Sequence, residues 1–298
     1  MPRNGVLLGL LLGISAPPSR AQPEFDQIQI KAERVAGNVH VLYGGGGNIG
    51  VSVGPDGILL VDDQYAPLAP KIRVALRTLA GDRPVRFVLN THWHGDHTGG
   101  NEVFGETAPI IAQENVRKRL ITGGVLSNGR RFEPAPKGAL PVITFDRKVS
   151  VHVNDEEIRG LHLDRGHTDG DVVVYFTRSN VVHMGDQFVA GGFLPFVDFA
   201  SGGNLDGLIA NVDHVIGTVA DDVKVIPGHG PIGGKPELVA YSRMLKDTRA
   251  ALQRARSSKA SFDALLADPV FRQYRWPDDE KRDFLGRLYR GLVNPNLP

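Results

Sequence analysis

Residues 91–97 read Thr-His-Trp-His-Gly-Asp-His, which places three imidazoles and one carboxylate within six positions. Imidazole nitrogen and carboxylate oxygen are the donors that zinc and similar borderline cations prefer. His92 and His94 stand two apart at the end of the apolar run 85–89, so an extended backbone projects both to one side. Asp96 and His97 follow Gly95, whose conformational freedom lets the chain turn and aim them at the same space. Four donors on one short loop exceed what a closed structural zinc site draws from a single segment. A partly open or two-metal site fits them better.

Three later segments end strand-like runs with the same residue types: His167 in Gly166-His167-Thr168, Asp186 in Met184-Gly185-Asp186, and His229 in Pro227-Gly228-His229-Gly230. Each is flanked by glycine, so backbone can approach closely while the side chain faces a cleft. Taken singly, a His or Asp beside glycine is ordinarily structural; seven in this order make a metal site. His40, His152, His162, His183 and His214 have no such context and read as structural. Asp62 and Asp63 close the run 58–61, where an Asp often caps a turn. Trp93 and Phe104 read as packing residues. Phe193 and Phe196, in the apolar Gly/Pro-containing segment 188–199, are candidates to cover the metals and meet a substrate, an ordinary buried loop being the competing reading. The glycine run 44–47 offers a second wall.

The elements that would carry these residues follow from patterning. Short β-type runs at 27–34, 39–43, 48–53 and 58–61, broken by Gly37-Asn38, the glycine run and Pro55-Asp56-Gly57, predict an antiparallel meander. Residues 66–80 have helical spacing, and 85–89 is a strand entering the His cluster. The second half repeats the theme: a helix at 115–121, a Gly/Pro-rich stretch at 123–141, and strands around 149–153, 158–163, 172–176 and 181–183. A helix at 204–219 capped by Asn204 leads to a strand at 223–226, and the chain is helical from about Pro236. Strands in both halves with helices interleaved predict an α/β class fold, two sheets face to face with helices outside.

The ordered set His92-x-His94-x-Asp96-His97, His167, Asp186 and His229 in its Pro-Gly-His-Gly turn resembles the metallo-β-lactamase superfamily, and the likeness runs over the whole chain after residue 21. The resemblance implies an αββα sandwich of two mixed β-sheets flanked by helices, with the metals at one sheet edge. It implies that His92, His94 and His167 hold one Zn2+, that Asp96, His97 and His229 hold a second, that Asp186 bridges them and that Asp62, or equally Asp63, orients the ligand loop. Iron or manganese suits the same donors. The chain has no cysteine, unlike the antibiotic-destroying subclass with a cysteine at the second metal, and a bridging aspartate resembles instead the thioesterases, lactonases and phosphodiesterases of the superfamily. Members that reduce oxygen at two irons carry glutamate where His94 stands.

The implied activity is hydrolysis of an activated acyl bond in a small-molecule substrate: lactam, lactone, ester or thioester. A water held by two cations has its pKa lowered from 15.7 toward about 7 and attacks as hydroxide, with Asp96 as the catalytic residue that orients it. A β-lactam is the first substrate expectation. The alternatives are a phosphodiesterase on the same fold and a non-catalytic, metal-stabilised envelope protein.

Composition narrows the setting. With 298 residues and 41% hydrophobic content, the chain buries a substantial core. A basic Arg3, an apolar run at 6–14 and Ser19-Arg20-Ala21 predict a signal peptide over 1–21, and hence a periplasmic protein whose hydrolase domain spans 22–298. The run is half the roughly 20 residues that a spanning helix needs, so stable membrane insertion is not expected. Removing 1–21 takes away two arginines and no acid, which leaves a nearly neutral chain with no electrostatic footprint for nucleic acid. Absence of cysteine excludes disulfides and thiolate ligands and suits an oxidising compartment. The residues that select a substrate or set an oligomeric state carry no readable pattern.

Overall fold

The computed structural model describes residues 25–293; the leader-like segment 1–21 lies outside them. In chain order the first half forms β1 (Lys31–Ala36), β2 (Val39–Tyr43), β3 (Ile49–Gly54), β4 (Gly57–Val61), α1 (Ala69–Ala80), β5 (Val85–Leu89), α2 (Gly95–Thr98), α3 (Asn101–Phe104), β6 (Ile110–Gln113), α4 (Glu114–Thr122), β7 (Gly124–Val125), β8 (Arg131–Phe132) and β9 (Ile143–Phe145). The second half forms β10 (Lys148–Val153), β11 (Glu156–His162), β12 (Val172–Phe176), β13 (Val181–His183), α5 (Leu205–Thr218), β14 (Lys224–Ile226), β15 (Gly233–Gly234), α6 (Lys235–Ser257), α7 (Phe262–Leu266) and α8 (Asp278–Val293).

Every residue of β4 is buried, as expected for a strand covered on both faces. With period two, Leu59 and Val61 point one way and join Val39, Val41 and Leu89, packing against Val172, Val174 and Phe176 of β12. Ile58 and Leu60 point the other way, toward Ile72 and Leu76 of α1. On the far side, Val173, Val182 and Val225 meet Val212 of α5, Leu245 of α6 and Leu285 of α8. Three apolar layers between four structural layers make an αββα sandwich.

Both sheets are mixed. The first runs β1-β2-β3-β4-β5-β6-β9, antiparallel to β4 and parallel thereafter; the second runs β10 to β15 in order, with β13 and β14 parallel. Parallel neighbours end together. Val61 lies opposite Leu89 and His183 opposite Ile226, so the residues after β4, β5, β13 and β14 emerge along one edge. Two backbone bonds stitch the sheets there: Val172 N donates to Thr91 O (2.8 Å) and Asn48 N to Gly228 O (2.7 Å).

The expected strand over 27–34 is displaced. Lys71 of α1 donates to the carbonyls of Phe25, Asp26 and Ile28 (2.9, 2.7 and 2.8 Å), so this segment's acceptors pair with a side chain rather than a ladder, and the strand begins at Lys31. The Gly/Pro-rich stretch contains the β7–β8 hairpin. β6 and β9, four and three residues long, are too short to register as periodic patterns.

Phe284 of α8 is 1% exposed within the outer apolar layer. Phe284→Ala should lower the unfolding free energy by about 3–5 kcal/mol, read from urea titration followed by far-UV circular dichroism.

Candidate metal centre

The edge where β4, β5, β13 and β14 end gathers all seven donors that the sequence singles out. His94, extended at φ −64 and ψ 145, caps the four-residue helix α2, so Asp96 and His97 lie on one helical turn. Gly95 itself is helical, which corrects the expectation that it supplies an unusual turn. It is needed because a Cβ there would lie 2.4 Å from the Phe132 ring. Gly228 has a similar role: a Cβ would come within 2.0 Å of Asp186 Oδ1.

Three overlapping groups place one donor atom from each member within 4.8 Å of one another: His92, His94 and His167; Asp96, His97 and His229; and His92, His97 and Asp186. His167 Nε2 faces His94 Nδ1 at 2.9 Å, and His97 Nε2 faces His229 Nε2 at 3.4 Å. Asp186 lies between the two histidine groups, with Oδ1 3.1 Å from His97 Nε2 and 3.4 Å from His229 Nε2, and Oδ2 3.7 Å from His167 Nε2.

Each of the four most buried rings uses its other nitrogen for orientation. His97 Nδ1 donates to Asp62 Oδ2 (2.7 Å), which also accepts from Thr91 Oγ1 (2.7 Å), while Asp62 Oδ1 accepts from Thr91 N (2.7 Å). His92 Nδ1 lies 3.1 Å from Thr91 Oγ1, whose only hydrogen goes to Asp62, so the ring donates. His167 Nδ1 donates to Phe196 O (2.5 Å). His94 Nε2 donates to Asp198 Oδ2 (3.1 Å), and Asp198 Oδ1 is held by Ser127 N and Oγ (2.8 and 2.7 Å). Asp63, the other candidate beside Asp62, instead accepts from Gly100 N (2.9 Å).

Those commitments leave lone pairs facing the centre. In neutral rings, His94 Nδ1 and His167 Nε2 oppose one another without a proton between them, and the buried His92 Nε2 has no hydrogen-bond partner. The donors therefore fit cations. The electrostatics agree. Burial, with His97 and His167 beside it, pushes His92 well below the ordinary imidazole pKa, and burial lowers His94. Burial opposes charge on His97 too, yet Asp186, Asp62 and Asp96 hold it well above the ordinary value; Asp186 and Asp96 likewise overcome burial to raise His229 to about 10. Burial would lift the Asp96 and Asp186 carboxyls, but the imidazoles of His97 and His229 hold both below the usual range. The carboxylates draw positive charge to the positions where cations would stand.

The cluster is open on one side. His92, His94, His97 and His167 are at most 4% exposed, whereas Asp96, Asp186 and His229 reach solvent. Phe193, 55% exposed, lies with its ring 5.5 Å from that of His229. Phe196 sits deeper, 5.9 Å from the His94 ring, with Arg287 of α8 over its outer face. The 44–47 run lies against α2, where Gly47 N donates to Asp96 O (3.0 Å).

Among the described residues, none of the five other histidines joins a metal-type group. His183 is buried with Nε2 on Asn48 O (3.0 Å) and Nδ1 accepting from Gly185 N (3.1 Å). Sequence reasoning missed Asp198 and Asn48. Asn48 Nδ2 donates to Pro227 O and Gly230 O (2.9 and 2.8 Å), clamping the turn that carries His229. No local spacing marks either residue, since their side-chain hydrogen bonds to Ser127, His94 and the 227–230 turn span 71 to 182 positions.

A family model described as the metallo-beta-lactamase superfamily matches residues 36–229. The chain is 28% identical over 152 residues to a Bacillus subtilis (strain 168) protein named "Probable metallo-hydrolase YqgX", which covers 48% of this chain and 68% of that one. It is 26% identical over 170 residues to "Probable metallo-hydrolase MJ0888" of Methanocaldococcus jannaschii, covering 52% and 74%. Among solved structures, a metallo-β-lactamase from Pontibacter korlensis superposes with a TM-score of 0.60 at 18% identity, over 73% of this chain and 99% of that chain. The DIM-1 metallo-β-lactamase gives 0.58 at 19%, over 74% and 99%. At these identities the structural likeness concerns the fold.

Asp198→Ala leaves the His94 ring without its acceptor. Zinc affinity should fall about 10–100-fold, measured by competition with a chelating dye, while the far-UV spectrum is retained.

Proposed function

The chain belongs to the metallo-β-lactamase superfamily, and on that premise we propose that it is a dinuclear zinc hydrolase of activated acyl bonds in small molecules, with a β-lactam the first substrate to test. The observation that carries this reading is the convergence of seven donors in three overlapping groups, open to solvent on the side of Asp96, Asp186 and His229. His92, His94 and His167 would hold one cation, Asp96, His97 and His229 the other, with Asp186 between them. When bound, the cations supply Lewis acidity and make a water acidic enough to ionise at neutral pH.

The rest of the work falls to the chain. Asp62, Asp198 and the Phe196 carbonyl fix the rings, so the donor atoms need little reorganisation as charge develops. Asp96, whose side chain is partly exposed at the mouth, orients the attacking water and relays the proton it releases to the departing nitrogen, oxygen or sulfur. Phe193 offers an exposed apolar face beside His229 for the substrate body. Export to the periplasm belongs to this proposal and rests on the leader-like composition of 1–21. Among the described residues, no helix is long and apolar enough to cross a membrane.

Purified protein should contain about two equivalents of zinc, and hydrolytic activity should vanish on chelation and return with added zinc, as metal analysis and rate measurements would report. Asp96→Asn should lower kcat about 10²–10⁴-fold on whichever substrate is turned over. Nitrocefin, a lactone, a thioester and bis(p-nitrophenyl) phosphate assayed side by side separate the substrate classes: activity confined to the phosphodiester rejects the acyl-hydrolase reading, and full activity in metal-free protein rejects the metal mechanism.

A further inference from the structure

A second cavity, of about 350 Å3, opens where the start of α5, the C-terminal half of α6 and the last turns of α8 meet. It lies in the size range of small-molecule sites. Leu252 and Leu288, each 2% exposed, form an apolar floor together with Phe199 and Leu205. Three guanidiniums stand around it, Arg165, Arg249 and Arg256, against the single carboxylate of Asp206. Asp206 is already taken by Arg249 Nη1 at 3.0 Å. Among the described residues Arg165 has one long bond, Nε to Gly202 O at 3.3 Å, and the exposed Arg256 guanidinium has no acceptor. The cavity thus presents buried hydrocarbon beside two guanidiniums that have no carboxylate partner among the described residues.

Its inner wall is the back of the metal centre. Phe199 follows Asp198, the residue that orients His94; Gly203 N donates to Asp198 O (2.8 Å), and Asn204 N to Gly166 O (2.8 Å), next to His167. The outer walls, α6 and α8, lie beyond residues 36–229 that the family model matches.

We infer that this cavity is a separate binding site for a small organic anion with an apolar body, such as a carboxylate or sulfonate on a hydrocarbon chain or ring. Guanidinium forks pair bidentately with carboxylate or sulfonate oxygens at the rim. The apolar body covers the leucine floor and leaves water as it does so, which favours binding. A bare inorganic anion meets only the screened rim charges, and a neutral hydrocarbon leaves the guanidiniums unpaired.

Titration calorimetry on the zinc-loaded full chain tests this with octanoate, 1-octanol and inorganic phosphate as probes. Octanoate should bind at least tenfold more tightly than either comparator. Arg256→Glu, a change at an exposed position, should raise the octanoate Kd at least tenfold with zinc content and far-UV spectrum unchanged, and Arg165→Gln should weaken it in the same direction. Octanol or phosphate binding as tightly as octanoate would overturn the inference, as would an octanoate Kd indifferent to both variants, the result expected if the carboxylate sat on zinc instead.

Discussion

A buried imidazole has two nitrogens, and one of them must find a partner in the protein before the other can be left bare toward a shared centre. That constraint organises this molecule. His97 relies on Asp62, His92 on Thr91, His94 on Asp198 and His167 on the Phe196 carbonyl. These partners come from three segments: Asp62 after β4, Thr91 after β5, and Phe196 and Asp198 together in the segment 188–199. Asp62 has the widest reach, since its two oxygens accept from Thr91 N, Thr91 Oγ1 and His97 Nδ1 and so bind the start of the ligand segment to its end. It holds a positive φ of 65 at the close of β4, a strained backbone position that three charge-assisted bonds stabilise.

The sandwich answers the constraint through register. Parallel pairing of β4 with β5, and of β13 with β14, makes consecutive elements finish at the same edge of each sheet, and face-to-face packing brings those two edges together. Polar side chains concentrate there because the ladders stop and the loops supply backbone donors and acceptors. The same edge leaves Asp96, Asp186 and His229 at the surface while four histidines remain buried. The centre is therefore rigid at its base and accessible at its mouth, the combination that hydrolysis at a preorganised site requires.

The helices after residue 234 are more than a terminal addition. α6 and α8 complete the outer apolar layer against the second sheet, and Arg287 of α8 lies over the Phe196 ring whose backbone carbonyl fixes His167. The segment 198–204 stands between these helices and the metal centre, joined to the His167 loop by backbone bonds. Packing on one side of that segment is thus mechanically continuous with ligand orientation on the other.

By itself the sequence determined the donor types, their order and the shared projection of His92 and His94, because donors two apart on extended backbone lie on one side; that Asp96 and His97 follow on a helical turn was decided by the structure. The sequence also determined the buried strands, through short continuous apolar runs bounded by turn residues, and the start of α5, through Asn204, whose side chain accepts from Gly207 N (3.0 Å). Only the tertiary structure decided which nitrogen of each ring faces inward, that Asp62 serves the ligand loop while its neighbour Asp63 holds Gly100, and that Asp198 and Asn48 support the centre at all. The roles of Asp62 and Asp63 depend on how the end of β4 adjoins the segment after β5, 29 to 37 residues away, and those of Asp198 and Asn48 on contacts with His94 and the His229 turn, 104 to 182 residues away, so no periodicity along the chain reveals them.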